Sequence, residues 1–128
     1  MSVELRLGEL GLELPQRPTM LGAYVPALKS GDFIFTSGQL PMREGKLLAT
    51  GLVSDGPDPA VDLELAQECA RQCVVNALGA IATLAELDDL DQIVKVTGFV
   101  ASAPDFTKQP AVLDAASNLL AEIFGHSG

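Results

Sequence analysis

The sequence predicts an α+β domain in which two amphipathic helices lie on one face of a β-sheet. Segments that repeat apolar residues every three or four positions alternate with short segments rich in β-branched and aromatic residues. Their order along the chain is a short helix, three β segments, a long helix, a β segment and a last helix. A chain of 128 residues with 48% hydrophobic and 20% charged residues has the length and composition of one folded domain.

A short helix is predicted at the start of the chain. Ser2 is a suitable N-cap, and Gly11 suits the position after the helix end. The apolar residues between them fall on one helix face: Val3, Leu7 and Leu10. Residues 14–19 contain two prolines, which disfavour a helix and predict an extended connector.

Two β segments then form a predicted hairpin. Residues 27–29 and 33–37 are β-rich, and the turn between them contains Gly31 and Asp32. Glycine adopts a positive φ at little cost and aspartate tolerates it, so this turn favours antiparallel pairing. Pro41 ends the second strand because proline lacks the backbone donor that a strand needs.

A second turn and a loop lead to the long helix. Glu44 and Gly45 form the turn, and residues 46–49 form a short third strand. Residues 51–61 are rich in glycine and proline and are predicted to be a loop.

The long helix is predicted over residues 63–84, with Asp62 as its N-cap. Its predicted buried face consists of Ala66, Cys69, Cys73, Ala77, Ile81 and Leu84. Residues 92–101 are apolar on both faces, as expected of a central strand. A last helix over residues 111–124 begins after Pro110 and ends before Gly125.

The charge of the chain excludes several classes of partner. The net charge is −9, and residues 51–128 carry all of it, with three basic and twelve acidic side chains. A surface that binds nucleic acid needs clustered Lys and Arg, which this chain lacks. No apolar run is long enough for a membrane span, and the N-terminus is unlike a signal peptide. We therefore expect a cytoplasmic protein with neither nucleic acid nor a membrane as its partner.

The residues that could bind a metal have simpler interpretations. Cys69 and Cys73 lie four residues apart on a helix, while zinc needs four ligands and the only histidine, His126, is distant. A disulfide across one helical turn has poor geometry, so we expect two small buried hydrophobic residues. The acidic stretch at 88–91 lacks the glycine and distal glutamate of a calcium loop and is expected to be a solvated turn. No metal and no cofactor are expected.

Two segments are candidates for a binding site. The sequence G-A-Y at residues 22–24 contains Tyr24, the only tyrosine of the chain, just before the first strand. The second strand ends in Ser37, Gly38 and Gln39, where backbone N–H groups leave the sheet and the glycine allows a small ligand to approach. A half-buried aromatic residue and an ordinary strand end are the alternative interpretations.

These two segments, in this order, resemble the reactive intermediate deaminase family (Rid or YjgF-like proteins, also called endoribonuclease L-PSP). The motifs are G-x-Y at 22–24, G-D-x-x-F-x-S-G-Q-x-P at 31–41 and V-K-x-T-x-F-V at 94–100. The resemblance covers nearly the whole chain. The first helix and the sequence S-A-P-D-F-T at 102–107 resemble a variant branch of the family.

The resemblance implies a chorismate-mutase-like (YjgF-like) fold in a single domain over residues 1–128, assembled as a homotrimer with ligand clefts between subunits. Members of the family hydrolyse reactive enamines and imines, such as 2-aminoacrylate, to 2-keto acids and ammonia without a cofactor. By matching positions, Tyr24 would be the catalytic residue, and Ser37 and Gly38 would bind the substrate, with the Gly38 N–H donating to its carboxylate. Asp114 occupies a substrate-binding position where family members often carry asparagine.

The family's carboxylate-binding arginine and water-positioning glutamate belong to two final strands that the chain apparently lacks, because they would follow Gly128. Weak or no deaminase activity is therefore one expectation. The alternative is a trimeric small-molecule-binding or chaperone-like protein without turnover. Ribonuclease activity is a third hypothesis, against which the charge of −9 and the lack of a histidine-centred acid–base pair argue.

Overall fold

The computed structural model describes residues 2–16 and 22–128, and within them three α-helices and two small antiparallel sheets form an α+β fold. The helices are α1 (Val3–Glu9), α2 (Leu63–Ile81) and α3 (Gln109–Phe124). The strands are β1 (Ala27–Ser30), β2 (Phe33–Thr36), β3 (Met42–Arg43) and β4 (Lys46–Leu47). Single 3₁₀ turns span Leu87–Asp89 and Gly125–Ser127. Of the connector predicted at 14–19, residues 17–19 lie outside the described residues.

Side-chain caps fix the starts of two helices. Ser2 Oγ and Asp62 Oδ1 each accept from the backbone N–H three residues further on, at 3.1 and 2.8 Å, which confirms both predicted N-caps. The backbone N–H of Val3 also donates to Asp88 Oδ1 at 2.7 Å. Asp88 and Asp89 are exposed in a 3₁₀ turn, as the prediction of a solvated turn requires, and the Asp88 carboxylate in addition accepts from the first turn of α1.

The first hairpin is formed as the turn residues predict. β1 and β2 pair antiparallel, with Ala27 opposite Thr36, and Gly31 in the turn has a φ of +58°. A second hairpin joins β3 and β4 through Glu44 and Gly45, which both have positive φ. β4 is shorter than the predicted strand at 46–49, and β3 was not predicted.

The core lies between the helices. α2 packs against α3, and the side chains of Val75 and Leu78 are the most buried of this contact. α1 adds Val3 and Leu7 to the same cluster. A second, smaller cluster lies under the loop that precedes α2 and consists of Val53, Val61, Ala66, Phe106 and Val112. The two clusters hold α2 in place along its length. The chain that includes β2 and β3 packs against this helix.

The predicted extent and buried face of α2 need correction. The helix ends at Ile81, and Leu84, which was assigned to the apolar face, is exposed. Two polar residues, Gln72 and Asn76, are buried instead, while the predicted cysteines are only half-buried. The reason is that α2 contacts α3 as well as β2 and β3, so its buried surface is wider than one apolar stripe.

The central strand predicted at 92–101 is absent as a paired strand. These residues run without a turn or bend, but they form no ladder with any described strand. Backbone bonds hold only their ends, from Ile93 N to Ser127 O and from Val53 N to Ala101 O, both 2.7 Å. Phe99 is 95% exposed, and residues 93–96 border a groove of about 230 Å³ beside α3. We call residues 94–100 the unpaired segment; the pattern identified its β character, but pairing needs a neighbouring strand.

Candidate functional site

The candidate site begins where the chain leaves β2, at residues 37–42, which we call the strand exit. The Ser37 backbone N–H and its Oγ both donate to the Pro26 carbonyl oxygen, at 2.9 and 3.3 Å. Gln39 Nε2 donates back to Ser37 O and Oγ, at 3.2 and 3.3 Å. Ser37 is therefore held half-buried at the end of the hairpin, with its hydroxyl already hydrogen-bonded on both sides.

The carbonyl groups of the strand exit are bound by the rest of the protein. At residues 39–42, four consecutive carbonyl oxygens each accept a hydrogen bond. Cys73 Sγ donates to the first at 3.4 Å, Asn76 Nδ2 to the second and fourth at 3.0 and 2.9 Å, and the Leu48 N–H to the third at 2.9 Å. Helix α2 thus fixes the strand exit by donating to the carbonyl oxygens of residues 39, 40 and 42.

The backbone N–H groups of residues 38–40 differ from the carbonyl groups of the strand exit. Within residues 2–16 and 22–128, the backbone N–H groups of residues 38–40 form no hydrogen bond. Gly38 is exposed, and a Cβ placed on it would meet no atom within 4 Å. A row of backbone donors beside open space suits an anion or a carbonyl oxygen. This is the arrangement that the predicted role of Gly38 requires.

Two buried amides that the sequence analysis did not single out connect the strand exit to Arg43. Gln72 Nε2 donates to Asn76 Oδ1, and Arg43 Nε donates to Gln72 Oε1, both at 2.9 Å. Gln72 and Asn76 are more than nine-tenths buried, so each amide needs these partners to offset its desolvation. Two amide side chains four residues apart inside an otherwise apolar helix were the available signal for this network.

The G-x-Y motif places the only tyrosine close to the same end of the hairpin. Tyr24 lies two residues before Pro26, whose carbonyl holds Ser37. The tyrosine ring, whose residue is 43% exposed, lies over Gly22, because a Cβ on that glycine would come within 3.0 Å of Tyr24 Cε1. Glycine at position 22 is therefore a requirement of the ring position.

The other predicted site residue lies elsewhere in the subunit. Asp114 is exposed on α3, and no hydrogen bond or ion pair among the described residues links it to the strand exit. The structure thus brings Ser37, Gly38 and the segment of Tyr24 together at one end of a hairpin and leaves Asp114 apart from them. The roles assigned to these four residues stay predictions.

None of the arginines in the described ranges forms a hydrogen bond or an ion pair with residues 38–40. Arg6 binds Glu9 and the Glu122 carbonyl oxygen, and Arg71 is exposed on α2. The Arg43 guanidinium is bound to Gln72 through Nε, and its Nη1 lies 3.7 Å from a carboxylate oxygen of Glu68. In this subunit, backbone N–H groups are therefore the donors that a ligand would meet at residues 38–40.

The two cysteines differ from the expected small buried hydrophobic residues. Both are half-buried free thiols, and Cys73 donates to the Gln39 carbonyl oxygen. Burial raises the pKa of the Cys73 thiol to about 11, and burial together with the nearby Glu68 carboxylate raises the pKa of Cys69. Protonated thiols are weak nucleophiles, so Cys73 acts here as a hydrogen-bond donor. Elsewhere in the described part of the chain no group of His, Cys, Asp and Glu side chains is placed to hold a metal ion.

The family of the chain follows from the comparison of its whole length with known proteins. Residues 4–128 match the family described as "YjgF/chorismate mutase-like, putative endoribonuclease". The chain belongs to this family, and its helices and small antiparallel sheets have the chorismate-mutase-like fold. None of the helices in the described ranges is long and apolar enough to cross a membrane.

Particular relatives agree with this assignment. Protein TCP17 of Trypanosoma cruzi is 33% identical over 130 residues, covering 96% of this chain and 75% of the relative. RutC family protein y4sK of Sinorhizobium fredii is 38% identical over 89 residues, covering 70% of this chain and 60% of the relative. The crystal structure of Atu1372, a protein of unknown function from Agrobacterium tumefaciens, has a TM-score of 0.84 and 41% identity, covering 98% of this chain and 74% of that one. A "putative endoribonuclease" from Shewanella oneidensis has a TM-score of 0.90 and 34% identity, covering 99% and 82%.

Proposed function

We propose that this protein hydrolyses reactive enamines and imines of the 2-aminoacrylate type to 2-keto acids and ammonia, without a cofactor, in the cytoplasm. The enamine first tautomerises to the imine. Water then adds to the imine carbon, and the resulting carbinolamine loses ammonia to leave the keto group. The steps transfer protons, add water and release ammonia without any change of oxidation state, so the protein needs to position the substrate and stabilise developing charge.

The observation that carries the proposal is the row of unpaired N–H groups at residues 38–40. The carbonyl groups at residues 39–42 are occupied, so the N–H groups at 38–40 are offered to a small anionic molecule. In the proposed complex the Gly38 N–H donates to the substrate carboxylate, and Ser37 lines the cleft. The Tyr24 hydroxyl lies near the reacting nitrogen and carbon as the catalytic hydrogen-bonding group.

We infer that three copies assemble and form the clefts between them. Large apolar side chains are exposed on one face of the first hairpin: Leu28, Phe33 and Phe35. Exposed apolar patches of this kind are typical of protein interfaces. No charged side chain lies on that face of the two strands, so copies could meet there without repulsion despite the charge of −9. In this assembly the Asp114 carboxyl group belongs to the substrate-binding cleft, contributed by α3.

Ammonia release tests the proposal. The purified protein is added to a pyridoxal-phosphate-dependent dehydratase that produces 2-aminoacrylate, and the rate of keto acid and ammonia formation is compared with buffer alone. We expect the wild type to accelerate the reaction. The Tyr24→Phe variant should accelerate it much less, because it keeps the ring but loses the hydroxyl. A wild-type rate equal to that of buffer would refute deaminase activity.

The alternative function is small-molecule binding or a chaperone-like role without turnover in the same trimer. The observation that favours it is that no arginine within residues 2–16 and 22–128 is hydrogen-bonded to residues 38–40, because backbone donors alone hold a carboxylate weakly. A thermal shift on adding pyruvate without any acceleration of 2-aminoacrylate loss would support it. Rapid turnover would exclude it.

A further inference from the structure

The strand exit has a polarity that follows from its contacts with α2. The four carbonyl oxygens of residues 39–42 point to protein donors, while the N–H groups of residues 38–40 have no partner among the residues described. An extended chain normally presents donors and acceptors alike. Here the acceptors at residues 39–42 are occupied, so apart from the Gly38 carbonyl a ligand meets donors and would need to supply the acceptor atoms.

Asn76 makes the largest contribution to this polarity. Its Nδ2 group donates to both Leu40 O and Met42 O, at 3.0 and 2.9 Å, and so spans Pro41. Its Oδ1 accepts from Gln72 Nε2 at 2.9 Å, which fixes the orientation of the amide. A carboxylate could not donate to the two carbonyls. An aliphatic side chain would remove the donor that Asn76 supplies to each of them and would leave Leu40 O with the Met42 N–H, at 2.8 Å. The position therefore requires a side chain that both donates and accepts.

Gln72 and Arg43 complete the arrangement from the other side. Gln72 accepts from Arg43 Nε at 2.9 Å and donates to Asn76, and both amides are buried. Arg43 directly follows Met42, one of the residues whose carbonyl Asn76 binds. The side chains of 43, 72 and 76 and the backbone at 42 thus form a closed ring of contacts, which holds the strand exit in one position relative to α2.

We infer that Asn76 is a positioning residue that makes the strand exit selective for ligands with a carboxylate. This inference rests on the proposed function, because it concerns the same site. By occupying the carbonyl groups at 40 and 42, Asn76 leaves the N–H groups at 38–40 as the available contacts. Asn76 does not touch the ligand itself. Its loss removes one of the two donors to Leu40 O and the side-chain donor to Met42 O and lets the exit rotate, so the preference for a carboxylate over an uncharged amide decreases.

The test compares Asn76→Ala with a matched variant, Gln67→Ala. Gln67 is also an amide of α2 that donates to a backbone carbonyl, but its partner is Ala111 O on α3, at 3.0 Å. Both variants lose an amide–carbonyl contact, so both are expected to lower the Tm. The probes are pyruvate and pyruvamide, which differ in the carboxylate alone. The readouts are the two Kd values and the amide hydrogen exchange of Met42 and Leu48, whose N–H groups donate to Leu40 O and Pro41 O at 2.8 and 2.9 Å.

For Asn76→Ala we expect a Kd for pyruvate at least about tenfold higher, loss of the preference over pyruvamide, and faster exchange of the Met42 and Leu48 amides. We expect Gln67→Ala to leave the Kd values and the exchange of these two amides unchanged. If Asn76→Ala does not fold, Gln72→Leu removes the partner that orients the Asn76 amide and should give a smaller change in the same direction.

The inference is overturned if the Asn76→Ala protein keeps its preference for pyruvate, or if its Met42 and Leu48 amides exchange at the wild-type rate. Equal losses in both alanine variants would also overturn it, because they would indicate general destabilisation. A wild type that binds neither probe refutes the proposed function and the inferred selectivity, while the exchange measurement still decides whether Asn76 positions the strand exit. Failure of the two claims is therefore distinguishable.

Discussion

Replacing Phe35 with threonine should dissociate the proposed trimer without unfolding the subunit. Phe35 is 59% exposed on the outer face of β2, so the single chain loses little from the change, and threonine retains β propensity. A phenylalanine side chain offers roughly 200 Å², of which about 120 Å² is then available to a neighbour. At about 25 cal/mol per Å², each copy loses up to about 3 kcal/mol of interface energy.

Three copies would lose up to about 9 kcal/mol together, equivalent to about a millionfold change in the trimer association constant. The assay is light scattering coupled to size-exclusion chromatography, with far-ultraviolet circular dichroism to verify folding. Leu5→Gln is the matched control, because Leu5 is 66% exposed on α1 and lies away from the hairpin. The reasoning would be refuted by a monomeric wild type, by an unchanged Phe35→Thr trimer, or by equal dissociation in the Leu5→Gln protein.

Three further predictions concern Tyr24, the N-cap of α2 and the half-buried thiol of Cys73. Gly22→Ala should displace the Tyr24 ring. Acrylamide quenching of tyrosine fluorescence measures this directly, because the chain has one tyrosine and no tryptophan. Unchanged quenching would contradict the prediction. Asp62→Ala should lower the free energy of unfolding by about 1 kcal/mol, since the Leu65 N–H loses its acceptor, and denaturant unfolding measures this; an unchanged midpoint would contradict it. Burial raises the pKa of Cys73 from 9.0 to about 11, so its contribution to stability is complete below pH 9 and is lost as the pH rises through about 11. The Tm of the wild type should therefore fall more steeply than that of Cys73→Ser above pH 9, and parallel curves would contradict this.

The parts of the fold that depend on neighbouring residues were predictable from the sequence. Ser2 and Asp62 cap their helices, and Gly31 has the positive φ that the hairpin turn needs. Gly125 ends α3 with a positive φ, as predicted. These features depend on contacts or backbone angles within a few residues, which a single sequence contains.

The parts that depend on distant residues were not predictable in the same way. The pairing of residues 92–101 requires a strand alongside, which no local pattern can supply, and the described chain provides none. Asn76 belongs to the part of the long helix that resembles the family, but it was assigned no role in the site because a search for apolar periodicity treats a buried amide as a surface residue. Its role became visible only when the carbonyls of Leu40 and Met42 were found within hydrogen-bond distance. The combination of motifs at 31–41 and 94–100 nevertheless identified the family correctly.

The unpaired segment also affects how the protein behaves in concentrated solution. Residues 94–100 have the sequence V-K-V-T-G-F-V, with high β propensity, no proline and a single charge. A seven-residue segment of this kind, with no partner strand in the described chain, can pair with strands of other molecules, which is the first step of fibrillar aggregation. Lys95 is the residue that opposes stacking, because identical charges would face one another in register. The storage life of the protein should therefore depend more on salt and on this lysine than on the stability of the helical core.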